Sequence, residues 1–464
     1  METKTKIFYG GSMKRLVVMI APFNTRSGYG DHARSLFYSI MDREDMEIKC
    51  VDTKWGATPR NHLRPEVPRH KKLLDTFVNP EQLQQRQIDI LIDIRIPNEF
   101  SQGAKINIGV TAGVETDVVS PEFLDGMNKM NLNIVPSRFT ADTFNRCVFD
   151  RMEDLPNGQK RKAGEVKNEK PLHVLFEGVD TDVYCPKQKH ELEKDLSQEL
   201  SELIKEDYAL LHVGQWGQQP FGEDRKNIGV LIKSFLKAFS NIPNAPALVL
   251  KTNGANFSVL DRHDIKKRIN QVKDMFEGVD IPNIYLIHGD YTIEEMSTLY
   301  NHPKIGAFIT CTHGEGFGRP MLEATCCDLP VIASKWSGHM DFLTDSESVF
   351  IDGFLKPVPK SSLWPPIIVE PSRWFVVNEA AVVRKIRTFH KKRKLIQKKA
   401  SRLGKKNRRE FSLKAMATEF NKLIDEVLKS IPQSVSLNLP KLKKPGETSN
   451  QSPTLKLPKL KKVT

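Results

Sequence analysis

Two carboxylates, Glu315 and Glu323, stand eight positions apart around the run G-E-G-F-G-R-P-M-L-E. Glycines at 314, 316 and 318 let a backbone approach a ligand closely, and Pro320 suits the first turn of a helix. The free N–H groups of such a helix start form an anion site. A glutamate in the loop and another just inside the helix can both accept hydrogen bonds from hydroxyl groups. Together they point to a phosphate-bearing ligand that also carries hydroxyls. Taken singly, each reads equally well as a solvated loop acid or as a complement to the helix dipole.

Such a turn needs a rigid frame, and the surrounding pattern supplies one. Residues 305–310 are short, apolar and β-branched, and 330–333 repeat this after one helical stretch, a strand–loop–helix–strand unit of a parallel sheet. Further strands read out at 15–22, 46–51, 88–94, 106–110, 133–137, 172–177, 208–214, 247–251, 283–287 and 373–377. Residues 151–170 are polar and read as an exposed loop. At 464 residues the chain is too long for one core, so two domains are expected.

The net charge of +13 is unevenly placed. From Arg384 onward there are 24 Lys and Arg against 5 Asp and Glu, so the preceding chain is mildly acidic. Val382, Ile386, Phe389, Ile396, Ala400 and Leu403 form a helical stripe there, and a second helix is expected over 413–431. The segments 437–444 and 455–462 repeat the pattern L-x-L-P-K-L-K-K and read as a disordered basic tail. A basic amphipathic surface of this kind could meet an anionic membrane; without interleaved aromatics it is poorly suited to nucleic acid. No apolar run reaches the roughly 18 residues of a membrane span. With no apolar signal segment near residue 1, the expected location is cytoplasmic. Six cysteines, at 50, 147, 185, 311, 326 and 327, lack metal-binding spacing and read as reduced thiols.

A second glycine turn, Gly28-Tyr29-Gly30 with Ala33 beyond, follows the first strand, and Asp52 lies about twenty residues on, as a dinucleotide fingerprint asks. An NAD-dependent enzyme is therefore a competing reading.

The run from Gly314 through Leu329-Pro330-Val331-Ile332 resembles the donor-site signature of the retaining glycosyltransferases of family 4, the group 1 transferases. That resemblance implies the GT-B fold, two Rossmann-like parallel-sheet α/β domains facing a cleft. It sets an acceptor domain over 1–183, a nucleotide-sugar domain over 184–376, basic helices packing back over 377–431, and the tail over 432–464. In the family the first glutamate, here Glu315, holds the donor sugar and the second, Glu323, the ribose. Gly316, Phe317, Gly318 and Arg319 would form the phosphate-facing turn. Lys226, before Asn227, matches the second of two cations that clamp the diphosphate. The first position is occupied by Gln215, and Arg225 is the expected substitute. Cations at a helix start oppose its dipole, so this pair calls for a compensating anion.

The turn after 283–287 would lie over the base through Ile287 and Gly289, and Ser337-Gly338 beside the sugar. Gly28, Tyr29 and Gly30 would face the phosphates and acceptor; Glu115 and Asp117, in E-T-D, would meet the acceptor hydroxyl. The G-V-D run at 178–180, followed by Tyr184, would mark the hinge. Asp328 departs from the family's usual glycine. The implied activity is sugar transfer from a nucleoside diphosphate sugar to a glycan, lipid-linked or protein acceptor, with retention, no metal and no cofactor. Lys226, Glu315 and Arg225 would be catalytic. Another nucleotide-sugar enzyme of this fold, such as an epimerase, is a second alternative.

Overall fold

The computed structural model describes residues 14–431 apart from 57, 85, 156–158 and 255. The repeat tail at 432–464 lies outside the described residues.

Two six-stranded parallel sheets face one another. The first is built from β1 (Arg15–Ala21), helix α1 (Gly28–Ile40), β2 (Met46–Asp52), α2 (Pro68–Leu74), β3 (Ile88–Ile94), β4 (Ala104–Val110), α3 (Pro121–Asn128), β5 (Leu132–Val135) and α4 (Arg138–Arg146). A hairpin, β6 (Val148–Asp154) and β7 (Lys160–Lys167), precedes its last strand, β8 (Leu172–Val174), and the order is β2-β1-β3-β4-β5-β8. After α5 (Lys194–Leu203) the second sheet takes β9 (Ala209–Val213), α6 (Ile228–Phe239), β10 (Ala247–Lys251), α7 (Val259–Lys273), β11 (Ile284–Ile287), α8 (Ile293–Asn301), β12 (Ile305–Ile309), α9 (Arg319–Cys326), β13 (Val331–Ser334) and β14 (Val349–Ile351). Its order is β11-β10-β9-β12-β13-β14. A small antiparallel pair, β15 (Gly353–Pro357) and β16 (Arg373–Val377), leads to the long helices α10 (Glu379–Glu410) and α11 (Leu413–Ser430). Central strands such as β10 and β12 are buried at every position because helices cover both faces, which is why they read as unbroken apolar runs.

In the second sheet the order of strand addition reverses between the parallel neighbours β9 and β12. Ligands of open α/β sheets sit at such switch points, beyond the strand C-terminal ends. The loops that leave there carry Lys226 and Glu315.

The closing helices tie the two halves together. The α10 helix lies on α6 and α9 with non-helical geometry at Lys392. The α11 helix buries Met416, Phe420, Leu423, Ile424 and Val427, at helical spacing, in the core of the first sheet. Each such side chain stabilises that docking by about 1.5–3 kcal/mol. Beside the junction, Val179 donates to Phe411 O at 2.9 Å and Leu413 donates to Val179 O at 2.8 Å. A Cβ on Gly178 would sit 2.8 Å from Leu413 Cα, so this crossing admits only glycine without movement.

Two details differ from the sequence reading, and a third, at Asp328, follows it. Residues 148–167 form a hairpin, not a loop. It is held by charge across the strands, with Arg161–Glu153 at 3.0 Å and Lys162–Asp150 at 2.6 Å, so it lacks the apolar alternation that marks a strand. The strand expected over 172–177 stops at Val174, and the chain runs on to the crossing at Gly178. Asp328 does adopt the left-handed conformation (φ 58°) otherwise suited to glycine. Ser401 and Arg408 of α10 each donate to its carboxylate at 2.7 Å, offsetting the backbone cost. No described helix is long and apolar enough to cross a membrane.

Candidate active site

The loop after β9 and the loop after β12 converge on one carboxylate. Lys226 Nζ donates to Glu315 Oε1 at 2.6 Å, and Arg225 donates to Glu315 Oε2 at 3.1 Å. Thr312 adds a hydroxyl donor at 2.8 Å. Burial alone would raise the Glu315 pKa, but Lys226 and Arg225 overcome it and hold the group at about 2. Burial lowers the Lys226 pKa, against the pull of Glu315. The anion that cations at the start of α6 require thus comes from the protein itself. Asp224 assists by accepting from Ile228 N at 3.3 Å, beside Asn227 in left-handed geometry. Gln215 is exposed and donates to Gly254 O at 2.6 Å, whereas Arg225 reaches the pair from the loop.

The glycine turn wraps this carboxylate. Ser337 Oγ accepts from Glu315 N at 2.9 Å, and Gly338 N donates to Glu315 O at 2.9 Å. Gly318 caps α9 at φ 95°, where a Cβ would lie 2.7 Å from Met321. Phe317 packs its ring on Phe342 and Phe411, so only its backbone can face a ligand. The N–H groups of Phe317, Gly318 and Arg319 bond to no described group, leaving the start of α9 open to an anion.

Glu323 lies one turn inside α9, with Arg319 donating at 3.1 Å and Tyr300 of α8 at 3.3 Å. Burial pushes its pKa up to about 7, opposed by Arg319 and reinforced by Asp31. Arg319 also faces Asp31 of α1 across the cleft at 3.7 Å. Glu177, just before Gly178, joins the same cluster and is likewise raised to about 7, chiefly by burial.

Other residues singled out from the sequence take different positions. Glu115 is half-buried beside Arg225 at 3.4 Å. Asp117 is committed to Arg373, accepting from its N at 2.6 Å and its Nε at 2.8 Å, and so ties the two domains together. The Tyr29 hydroxyl is engaged with Thr111 at 2.9 Å and accepts from Ala112 N, which fixes α1 to β4. Gly28 has open space around it, whereas Gly30 is pressed on Thr25. Gly289 O accepts from Lys251 at 2.6 Å, and Ile287 is buried. Asp52 is held by Asn24 N at 3.0 Å and Arg60 at 2.6 Å within its own domain. Thr312, Tyr300 and Glu177 were not read from the sequence. Thr312 follows a strand end and could have been found there; nothing local marked the other two.

The two domains touch directly at the glycine turn. Ser137 donates to Gly316 O at 2.6 Å, Arg138 N donates to Asp341 at 2.9 Å, and Phe139 packs on Trp336.

A buried carboxyl titrating near 7 against about 4.5 when unfolded contributes stability that is complete below pH 4.5 and is lost as pH rises through 7. Glu177→Gln removes that dependence. Its gain in melting temperature over the parent is therefore expected to grow between about pH 5 and about pH 8. His32, buried and lowered to about 3, titrates in the opposite sense in both proteins and drops out of the difference, while Glu323, also near 7 in the same cluster, is present in both. A gain that is flat with pH would contradict the assignment.

Comparison with known proteins bears on the fold and on residues 223–363. Residues 223–363 match the family profile described as glycosyl transferases group 1. No curated protein matches the chain. Among solved structures, sucrose-phosphate synthase from Thermosynechococcus elongatus is 13% identical over 90% of this chain and 100% of its own, with a TM-score of 0.60. A glycosyltransferase from Rickettsia africae is 15% identical over 90% and 100%, with a TM-score of 0.59. Anabaena HepE, in complex with UDP and glucose, is 14% identical over 90% and 100%, with a TM-score of 0.57. At these identities the likeness is one of fold. Residues 223–363 match the group 1 glycosyl transferase profile, and the chain that carries them has the GT-B fold.

Proposed function

We propose that this chain transfers a sugar, of hexose type, from a nucleoside diphosphate donor to an acceptor hydroxyl with retention of configuration. The observation that carries the reading is Glu315, held ionised between Lys226 and Arg225 at the switch point of the second sheet and beside the open start of α9. A diphosphate entering there would draw Lys226 and Arg225 toward its oxygens and release a Glu315 oxygen to accept from a sugar hydroxyl. As the glycosidic C–O bond to the diphosphate breaks, its developing negative charge would be met by these cations and by the N–H groups of Phe317–Arg319. In this reading the cations and the helix start fill the role of a metal ion. Glu323 would take the ribose, and Ile287 and Gly289 would line the base. Support for the donor class comes from HepE, whose structures include complexes with UDP and with UDP-glucose.

The test is thermal stabilisation by UDP-glucose, GDP-mannose and NAD, followed by product analysis with the sugar nucleotide that binds. A ligand present at 100 times its Kd stabilises by about 2.7 kcal/mol, which such an assay reads readily. Stabilisation by NAD alone would overturn the proposal, and an anomer opposite to that of the donor would overturn retention.

A further inference from the structure

Glu177 sits between the end of β8 and the crossing at Gly178, and its neighbours hold it firmly. Phe176 packs on Phe411 with ring centres 5.0 Å apart, and Val179 is paired to both Phe411 and Leu413. The residue is 7% exposed, and its carboxyl, whose oxygens are not wholly shut off from solvent, makes no hydrogen bond to any described residue. Around it lie Arg319, Asp31, Glu323 and Glu315, one cation among three acids. A carboxyl that is enclosed on most sides, keeps a path to solvent and takes no donor from the protein has its acceptor capacity left for water or a ligand. A purely structural role would supply those donors from the protein.

The acids nearby repel an anion, and Arg319 already serves Glu323 and Asp31 as their cation. A ligand suited to the vacant acceptor capacity must bring neutral hydrogen-bond donors, as a sugar does. Resting on the sugar-nucleotide reading above, we propose that Glu177 reads hydroxyl groups of the bound donor, accepting hydrogen bonds from either the transferred sugar or the ribose. Its raised pKa accords with this, since burial opposes the ionised form and hydroxyl donors from a ligand would restore it.

The experiment is titration calorimetry of wild type, Glu177→Gln and Glu177→Ala with UDP, GDP, UDP-glucose and GDP-mannose, alongside melting curves without ligand. Whichever probe binds wild type tightest is expected to weaken about 10- to 100-fold in both variants, as for loss of a hydrogen bond to a charged group. The ligand-free Glu177→Gln protein is expected to melt higher than wild type. Weakening confined to UDP-glucose or GDP-mannose assigns the contact to the transferred sugar; equal weakening of the free nucleoside diphosphates assigns it to the ribose. Affinities within about twofold of wild type, or a lower melting temperature in Glu177→Gln accompanying lost binding, would overturn the inference. If none of the four probes binds wild type, the donor reading itself falls and this one with it. That outcome is read before any substitution is made.

Discussion

Lys226→Ala is expected to lower donor turnover by on the order of 100- to 1000-fold while the protein stays folded. The reason lies in what Lys226 faces. Its ammonium is nearly enclosed and stands 2.6 Å from Glu315 at the end of β12, where a leaving diphosphate would gather charge. A cation already oriented in a buried site stabilises that charge without reorganising. The loss should therefore appear chiefly in kcat. Arg225 remains beside Glu315 at 3.1 Å, so the carboxylate is not left unpaired and the fold should survive. Lys226→Arg tests position against charge, because a guanidinium cannot reproduce a compact ammonium. Turnover within a few-fold of wild type in Lys226→Ala would sink the catalytic role.

Gly316→Ala is expected to reduce turnover by roughly 100-fold for a different reason, the apposition of the two domains. An added Cβ would lie 2.2 Å from Ala112 O, a backbone atom of the other domain with no freedom to rotate away. Gly314 meets Glu115 O in the same fashion, so the turn is pressed on the first domain along its length. The clash must be relieved by parting the domains, against the Ser137–Gly316 and Asp117–Arg373 bonds. An opening of even 1 Å at the reacting atoms can cost this much in rate. Donor binding, which the proposed function assigns to the second domain, should change far less than turnover, and small-angle scattering should show a larger radius of gyration. Unchanged scattering together with unchanged turnover would show that the closed arrangement is not the reacting one.

Much of this architecture was legible along the chain. The strands of both sheets are short apolar runs because helices cover both faces, and burial writes itself into composition. The residues around Glu315 were legible for a related reason. A switch point collects the loops after β9 and β12, and each loop leaves its strand within a few residues, so strand ends in sequence are site residues in space. Even the odd position of Asp328 was visible, as an acid where a left-handed residue was needed.

What the sequence by itself determined, then, is whatever depends on local spacing: the parallel sheets, the glycine turn with its two glutamates, and the cations that precede α6. Only the tertiary structure decided which side chains meet across the cleft. Asp117, read as a contact for the acceptor, is tied to Arg373, 256 positions away. Tyr29 is occupied by Thr111, the hairpin at 148–167 is held by cross-strand charge, and Glu177 is left without a donor among four charged groups from both domains. These contacts depend on how two rigid sheets are set face to face by α10 and α11. Periods of two and 3.6 residues describe one element at a time and carry no record of that docking.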